Sequence, residues 1–445
     1  MKAIVEVEEV VCSFEPADNG AGPLWCHGST VVARHGKQVY AAGLETLPDQ
    51  QPLNNCRWVL YRRGGEGEGW QIVHRDTTGR TREPSPVAVL GSGDLLVSAN
   101  PTLAEPGTRG GAAEPAVFRF DADDPSAAAR KELPVWSGSP TFSEHSYRTF
   151  VGDRAAAEVL YMQNVGHDVA HMSLLGRDGR WQGVGELKWP WGGEYPKPQP
   201  LRLCYPNVIM RNRAAHFFGV GDIVEPIEEW RQEKHRITGR DWDYVFRRLF
   251  YATTPDVSTQ PFGAWVEIAN FDATAGSTRN CDVWVAPDGS VHLLWVQTNI
   301  DARLRDRFFP GEKIRHSLEY AVMRQGKVES KRALIAAAEG EEGATPNGAR
   351  FHETDSGKLL VLAQLSHQSS AAGGIEYRLA DLSQEGEREG ITWIEVPFRE
   401  PMGGTFLTNS VRGGSAPSCF IDMIGMSPSE ANSLQYARVR VGSGD

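Results

Sequence analysis

One kind of segment recurs seven times along the chain, a tight polar turn followed by a short, mostly apolar run. The copies are HGKQVYAAG (35–43), SGDLLVSAN (92–100), AAEVLYMQN (156–164), RAAHFFGVG (213–221), DGSVHLLWV (288–296), SGKLLVLAQ (356–364) and PSCFIDMIG (417–425). Turn residues ahead of β-branched and apolar runs are hairpin signals. A short strand precedes each turn, as in STVVA (29–33), SYRTFV (146–151) and TNSVR (408–412). An alternating strand follows, as in RWVLYRR (57–63) and RRLFYAT (247–253), and several units add a fourth, as in GWQIVHR (69–75). Units of four strands recurring about every 60 residues predict an all-β chain. The expected fold is a seven-bladed β-propeller with four-stranded antiparallel blades, residues 1–445 forming a single domain. The N-terminal VEVEEVVCSF is expected to complete the last blade and close the ring. One short inserted helix is expected in EPIEEWRQEKHRITG (225–239), where a Pro and acidic residues open the helix and a Gly ends it.

Composition narrows the partners. The formal net charge is −11, which argues against a general nucleic-acid binder. No run of about 18 apolar residues exists, so no membrane-spanning helix is expected. The start, MKAIVEVEEVVCSFEP, alternates like a strand and lacks an apolar run of signal length. A cytoplasmic location is expected, or export followed by removal of a leader. The six cysteines, at 12, 26, 56, 204, 281 and 419, form no CxxC and read as reduced thiols.

Propeller geometry then selects candidates. Let A be the innermost strand of each blade and D the outermost. The A–B turns read as tight, so the longer B–C and blade-to-blade connections share one face, where binding usually sits. A-strand entrances on that face carry His27, Glu83, His145, Tyr205, Asn280 and Thr408. B-strand exits include Asn100, Asn164, His167 and Asp222. His145 and His167 belong to one blade, and Tyr205 enters the next with Arg202 just ahead of it. Histidine serves as acid or base near neutral pH. Tyrosine can move a proton where neighbouring cations lower its pKa, and arginine neutralises a carboxylate bidentately. The same polar strand ends would also serve to satisfy one another's backbone groups.

Two insertions on this face are rich in aromatics: WPWGGEYPKPQP (189–200) and GRDWDYVF (239–246), the latter following the helix. Their flat rings suit sugar faces, and Arg247 and Arg248 suit acidic groups. Alternatively, Trp189, Trp191, Trp230 and Trp242 form a satellite core under a long loop. Cys281 and His292 are expected to lie diagonally on one sheet face. That pair makes a structural metal ion conceivable, although zinc takes four ligands. No cofactor is otherwise required.

The stretch HSYRTF…LYMQNVGH…RLCYPNVIM…HFFGVGDIVEP…WDYVFRRLFYATTPD…DVWVAPDGSVHLLW (145–295) resembles the seven-bladed propeller polysaccharide lyases. These comprise ulvan lyases and rhamnose–glucuronate lyases, together with the related propeller L-rhamnosidases. The resemblance implies β-elimination at a uronic acid in an acidic oligo- or polysaccharide. An Arg would neutralise the carboxylate, while His and Tyr would move protons. By motif position His145 and His167 match the family's histidine pair and Tyr205 its tyrosine. Arg202, Arg248, Tyr251, His27, Asn164 and Trp191 are expected to contact substrate. The chain departs from the pattern at HFFGVGD, where Gly219 and Gly221 occupy the region that carries the family's Arg. In the rhamnosidases an N-terminal histidine carries activity, and His27 in WCHGS matches it. Glycoside hydrolysis and non-catalytic glycan binding therefore stand beside elimination.

Overall fold

The computed structural model describes residues 1–65, 67–241, 243–367, 374–384 and 391–442. Seven four-stranded antiparallel sheets form the blades. In chain order they span 32–75, 87–132, 148–188, 203–270, 275–338, 345–396 and 403–442. Their A strands neighbour one another in sequence around the ring, and the A strand of blade 1 also meets that of blade 7. The N-terminal strand, Lys2–Ser13, pairs antiparallel with Ser433–Gly442 as the outer strand of blade 7. The ring is thus closed by hydrogen bonds between the two ends of the chain.

Each blade buries both faces against its neighbours, so the core is a series of layers between sheets rather than one central mass. Phe217 and Leu203 of blade 4 pack with Leu160 and Met172 of blade 3. On the other face, Phe218 and Leu249 pack with Leu293 and Trp295 of blade 5. Double-sided burial explains strands that read as continuous apolar runs, such as LLVLAQL (359–365), which is buried throughout.

Two α-helices occur among the described residues, one more than expected. Helix α1, Glu228–Thr238, ends at Gly239, whose left-handed φ of 66° lets its N–H reach the His235 carbonyl. Helix α2, Ala302–Phe308, is capped by the Asp301 side chain, which accepts from the Arg303 N–H. Each helix fills the B–C connection of its blade, in blades 4 and 5 respectively. They pack together through Trp230, Leu304, Phe308 and Phe309. Trp189 and Trp230 are buried, Trp191 is 63% exposed, and Trp242 lies outside the described residues.

Blade 7 departs most from expectation. Its A strand is Gly403–Thr408, so Thr408 ends the strand instead of opening it. Residues 409–419 therefore form a long A–B connection on the face expected to carry only tight turns. It reaches under the ring, where Gly413 accepts from Val89 N–H and Ser415 Oγ from Arg34 N–H. Arg412 rises from this segment to pair with Asp282 at 2.7 Å and to donate to the Gly28 carbonyl. The B–C connection of blade 3 also departs, being a tight hairpin at Gly166–Asp168.

Candidate functional site

A cavity of about 860 Å³ opens on the long-connection face. Its walls come from the segment between the first strand and blade 1, and from A-strand entrances and B-strand exits of blades 4 to 7. Trp25, His27, Tyr205, Phe246, Arg279 and His316 supply its aromatic and basic groups. Gln297, Asn347 and Asn432 add amides. Among the described lining residues there is no Asp or Glu.

His27 lies face to face with Tyr205, ring centroids 4.3 Å apart. The backbone beneath them is clamped. Arg350 donates to the His27 carbonyl at 3.1 Å, and Arg412 and Asn207 both donate to that of Gly28. Tyr205 holds a left-handed φ of 48°, which a non-glycine residue adopts only under restraint. Asn280 supplies the restraint, donating to its carbonyl at 2.7 Å. Gly28 runs so close to this turn that any Cβ there would collide with the Pro206 carbonyl and the Tyr205 backbone.

Electrostatics keep the pair uncharged. Burial, then the guanidinium groups of Arg279, Arg350 and Arg412, hold His27 well below the ordinary imidazole value. Burial pushes the Tyr205 phenol up. A tyrosine pKa lowered by cations, the condition set from the sequence, is not met: desolvation dominates, and Cys204 and Asp222 add to it. Arg279 donates to the Asn347 carbonyl and has no ion-pair partner among the described residues.

Trp25 separates this cavity from a second cluster. Its ring stacks on Tyr147 at 5.0 Å, meets His145 at 5.3 Å, and meets Tyr205 edge-on at 5.6 Å. His145 Nδ1 lies 3.2 Å from the buried Glu83 carboxylate. That carboxylate also accepts from the Ser146 N–H and hydroxyl. Arg202 pairs with Asp222 and stacks over Tyr147 at 5.0 Å. Its Nη1 lies 3.5 Å from His167 Nε2. His167 sits on its hairpin with its edge open to solvent, and the partial desolvation of its ring, then Arg202, lower its pKa. So His145, His167 and Tyr205 share one neighbourhood with a guanidinium. Only Tyr205 lines the cavity.

Other expected substrate contacts lie elsewhere. Tyr251 is buried on strand C of blade 4, where its hydroxyl meets His216 Nδ1 at 2.7 Å. Strand alternation turns it between blades and away from the axis. Arg248 is held by Asp272 and Glu194 and covers the Tyr195 ring, so it anchors the 189–200 insertion. Asn164 is buried, accepting from Tyr147 N–H and donating to the Gly166 carbonyl. Trp191 sits on the exposed ribbon Trp191–Gly192/Gln199–Pro200, not on the cavity. Arg247 is bound to Glu225.

The metal pair is not assembled. Trp284, not Val283, faces His292, and Cys281 falls at a register shift between Asn280 and Asp282. His292 spends Nδ1 on the Tyr320 hydroxyl at 2.6 Å. Among the described residues no three His, Cys, Asp or Glu side chains converge as metal ligands. All six cysteines are free.

Arg279, His316 and the arginines beneath His27 escaped the sequence reading. Arg279 precedes the expected entrance Asn280 by one residue. The polar start of its strand, AGSTRN within Ala275–Val285, hid the strand's true length.

No family model matches the chain, and no curated protein matches it. Among solved structures it is similar to an α-L-arabinanase of Penicillium chrysogenum complexed with arabinobiose. Identity is 14% and the TM-score 0.42, covering 79% of this chain and 92% of that one. An α-L-arabinofuranosidase of Fusarium graminearum with arabinobiose gives 12% and 0.40, covering 80% and 93%. A puromycin-hydrolysing peptidase of Mycobacterium tuberculosis gives 12% and 0.47, covering 89% and 48%. Similarity this distant carries no argument about the reaction.

Proposed function

We propose that this propeller is a carbohydrate-active enzyme that cleaves a glycosidic bond, with His27 as the group that accepts the proton. One observation supports hydrolysis over elimination: His27 and Tyr205 line the cavity, whereas His145 and His167 do not. His27 is the position matching the hydrolytic members of the resembling families. A neutral imidazole can take a proton from water or from a sugar hydroxyl, and a phenol kept protonated can donate to the departing oxygen. Glycosidases more often divide these roles between two carboxylates. The lining offers none, so here the work falls to the imidazole and the phenol.

Elimination is the second reading, and Arg279 favours it. A guanidinium without a carboxylate partner among the described residues, in a cavity whose described lining holds no acid, suits the carboxylate of a uronic acid. Binding there would acidify the adjacent C5 proton for His27 to remove.

The test is to incubate the protein with uronate-containing and rhamnose-terminated oligosaccharides. New reducing ends and ultraviolet absorbance are followed together. Reducing ends alone mean hydrolysis, and reducing ends with the absorbance of an unsaturated product mean elimination. Binding without either would overturn the enzymatic reading in favour of a glycan-binding module.

A further inference from the structure

A second cavity of about 370 Å³ continues from the first. Phe246, Ser277, Thr298 and His316 line both, so the two spaces adjoin. The far end of the second is formed by Lys234 of α1, Arg247, and Asp301 and Arg303 at the start of α2. Those side chains belong to a mutually compensated ion network. Lys234, only 2% exposed, lies 2.8 Å from Glu225 and from Asp243, and 3.5 Å from Asp301. Arg247 is bound to Glu225, and Arg303 pairs with Asp301 at 2.6 Å.

This balance sets the second cavity apart from the first. Arg279 faces the first cavity with no carboxylate partner among the described residues, whereas each cation of the second has one. A charged ligand unit would gain little there and would disturb existing pairs. Fixed donors and acceptors side by side suit hydroxyl groups, which donate and accept at once. The aromatic floor, Phe246, offers an apolar face to a ring. At the threshold His316 keeps Nδ1 on the Thr298 hydroxyl at 2.9 Å. Burial lowers its pKa, so it stands uncharged between the two spaces. The wall is rigid because α1 and α2 are joined by both the ion network and the Trp230 cluster.

Resting on the glycan reading above, we infer that the second cavity is a subsite for a neutral, hydroxyl-rich sugar unit. It adjoins the unit held at Arg279, with His316 and Arg303 as its contacting residues. The protein therefore recognises at least two linked units, and one unit alone leaves part of the site unfilled.

Calorimetric titration with two probes tests this: methyl glucuronide, and a disaccharide joining glucuronate to a neutral hexose. The disaccharide is expected to bind at least about tenfold more tightly. Arg303→Ala and Arg303→Gln should each remove most of that gain and leave affinity for methyl glucuronide unchanged, because Arg303 lines only the second cavity. Circular dichroism confirms that each variant is folded. Equal affinity for the two probes, or loss of both probes alike in the variants, would overturn the subsite while leaving the glycan reading intact. Binding of neither probe, with Arg279→Ala indistinguishable from the parent, would overturn the uronate reading of Arg279 and the subsite with it.

Discussion

The imidazole of His27 and the phenol of Tyr205 lie 18° from parallel with centroids 4.3 Å apart, although 178 residues of chain separate them. They meet because the segment after the N-terminal strand crosses the top of the ring to the entrance of blade 4. Two buried arginines and two asparagines clamp the backbone at the crossing. His27→Ala is expected to reduce glycan cleavage by about 100-fold or more, as for loss of a general base. Tyr205→Phe should lower turnover while retaining binding. His145→Ala and His167→Ala should keep most of the activity. Release of reducing ends decides the matter, and full activity in His27→Ala would sink the assignment.

Turnover should be insensitive to pH through the neutral range. His27 is held neutral well below the ordinary value of about 6.5, and Tyr205 stays protonated above its ordinary value of about 10. Activity is expected to fall on acidification, once His27 takes up a proton. A rate profile with its acid limb near pH 6.5 or above would contradict the burial argument.

Fold stability should respond to pH through other histidines. Burial lowers both His216 and His292 to about 4. Both values lie below the unfolded one, so the unfolded chain binds protons first as the pH drops. Their contribution is complete above about pH 6.5, declines from there towards 4, and then levels off, amounting to roughly 3 kcal/mol for each imidazole. Urea midpoints measured across that window should show the slope, and His216→Asn/His292→Asn should flatten it.

Gly28→Ala should damage both the fold and the site. The added methyl has only backbone to displace, at Pro206 and Tyr205, and neither can yield as a flexible side chain would. A loss of about 2–4 kcal/mol is expected, within the upper range for single substitutions. Thermal unfolding reads the loss. An unchanged midpoint would show that the crossing is looser than described.

Lys234→Met removes the one cation that joins Glu225, Asp243 and Asp301 in a nearly inaccessible position. Leaving buried carboxylates short of a partner costs about 3–5 kcal/mol. Urea unfolding should register a cost of that order. A neutral result would mean that water enters the network freely.

Periodicity carried the fold. Turn residues before apolar runs mark each A–B hairpin, and these signals are local, so seven blades and α1 were visible in the chain. Helix α2 was not. It spans only Ala302–Phe308, too short for a repeating apolar face, and its cap Asp301 follows a strand without a Gly or Pro break. The A strand of blade 7 was misplaced because TNSVR resembles a strand locally. In the structure Thr408 ends the strand, and the rest lie in the connection that follows it.

The site was legible in part. His27 and Tyr205 fell on the list of strand entrances, and His145 and His167 fell beside them. Strand position says which end of a blade a residue occupies, but it does not say which side of Trp25. Arg248 and Tyr251 had the right chemistry in the right blade, yet carboxylates and a buried imidazole already engaged them. Arg279 was overlooked because nothing local marks a guanidinium that has no carboxylate partner among the described residues.

Alternation, turn chemistry and spacing are properties of neighbouring residues, so the sequence by itself determined seven four-stranded blades, their order and the face bearing the longer connections. Closure of the ring by the N-terminal strand was also legible, whereas the stack of His27 on Tyr205, the uncharged state of both, and the lack of a carboxylate partner for Arg279 among the described residues were decided only by tertiary structure. Each depends on contacts between residues far apart in the chain. Burial, partner and electrostatic field come into being only when the seven sheets meet around one axis.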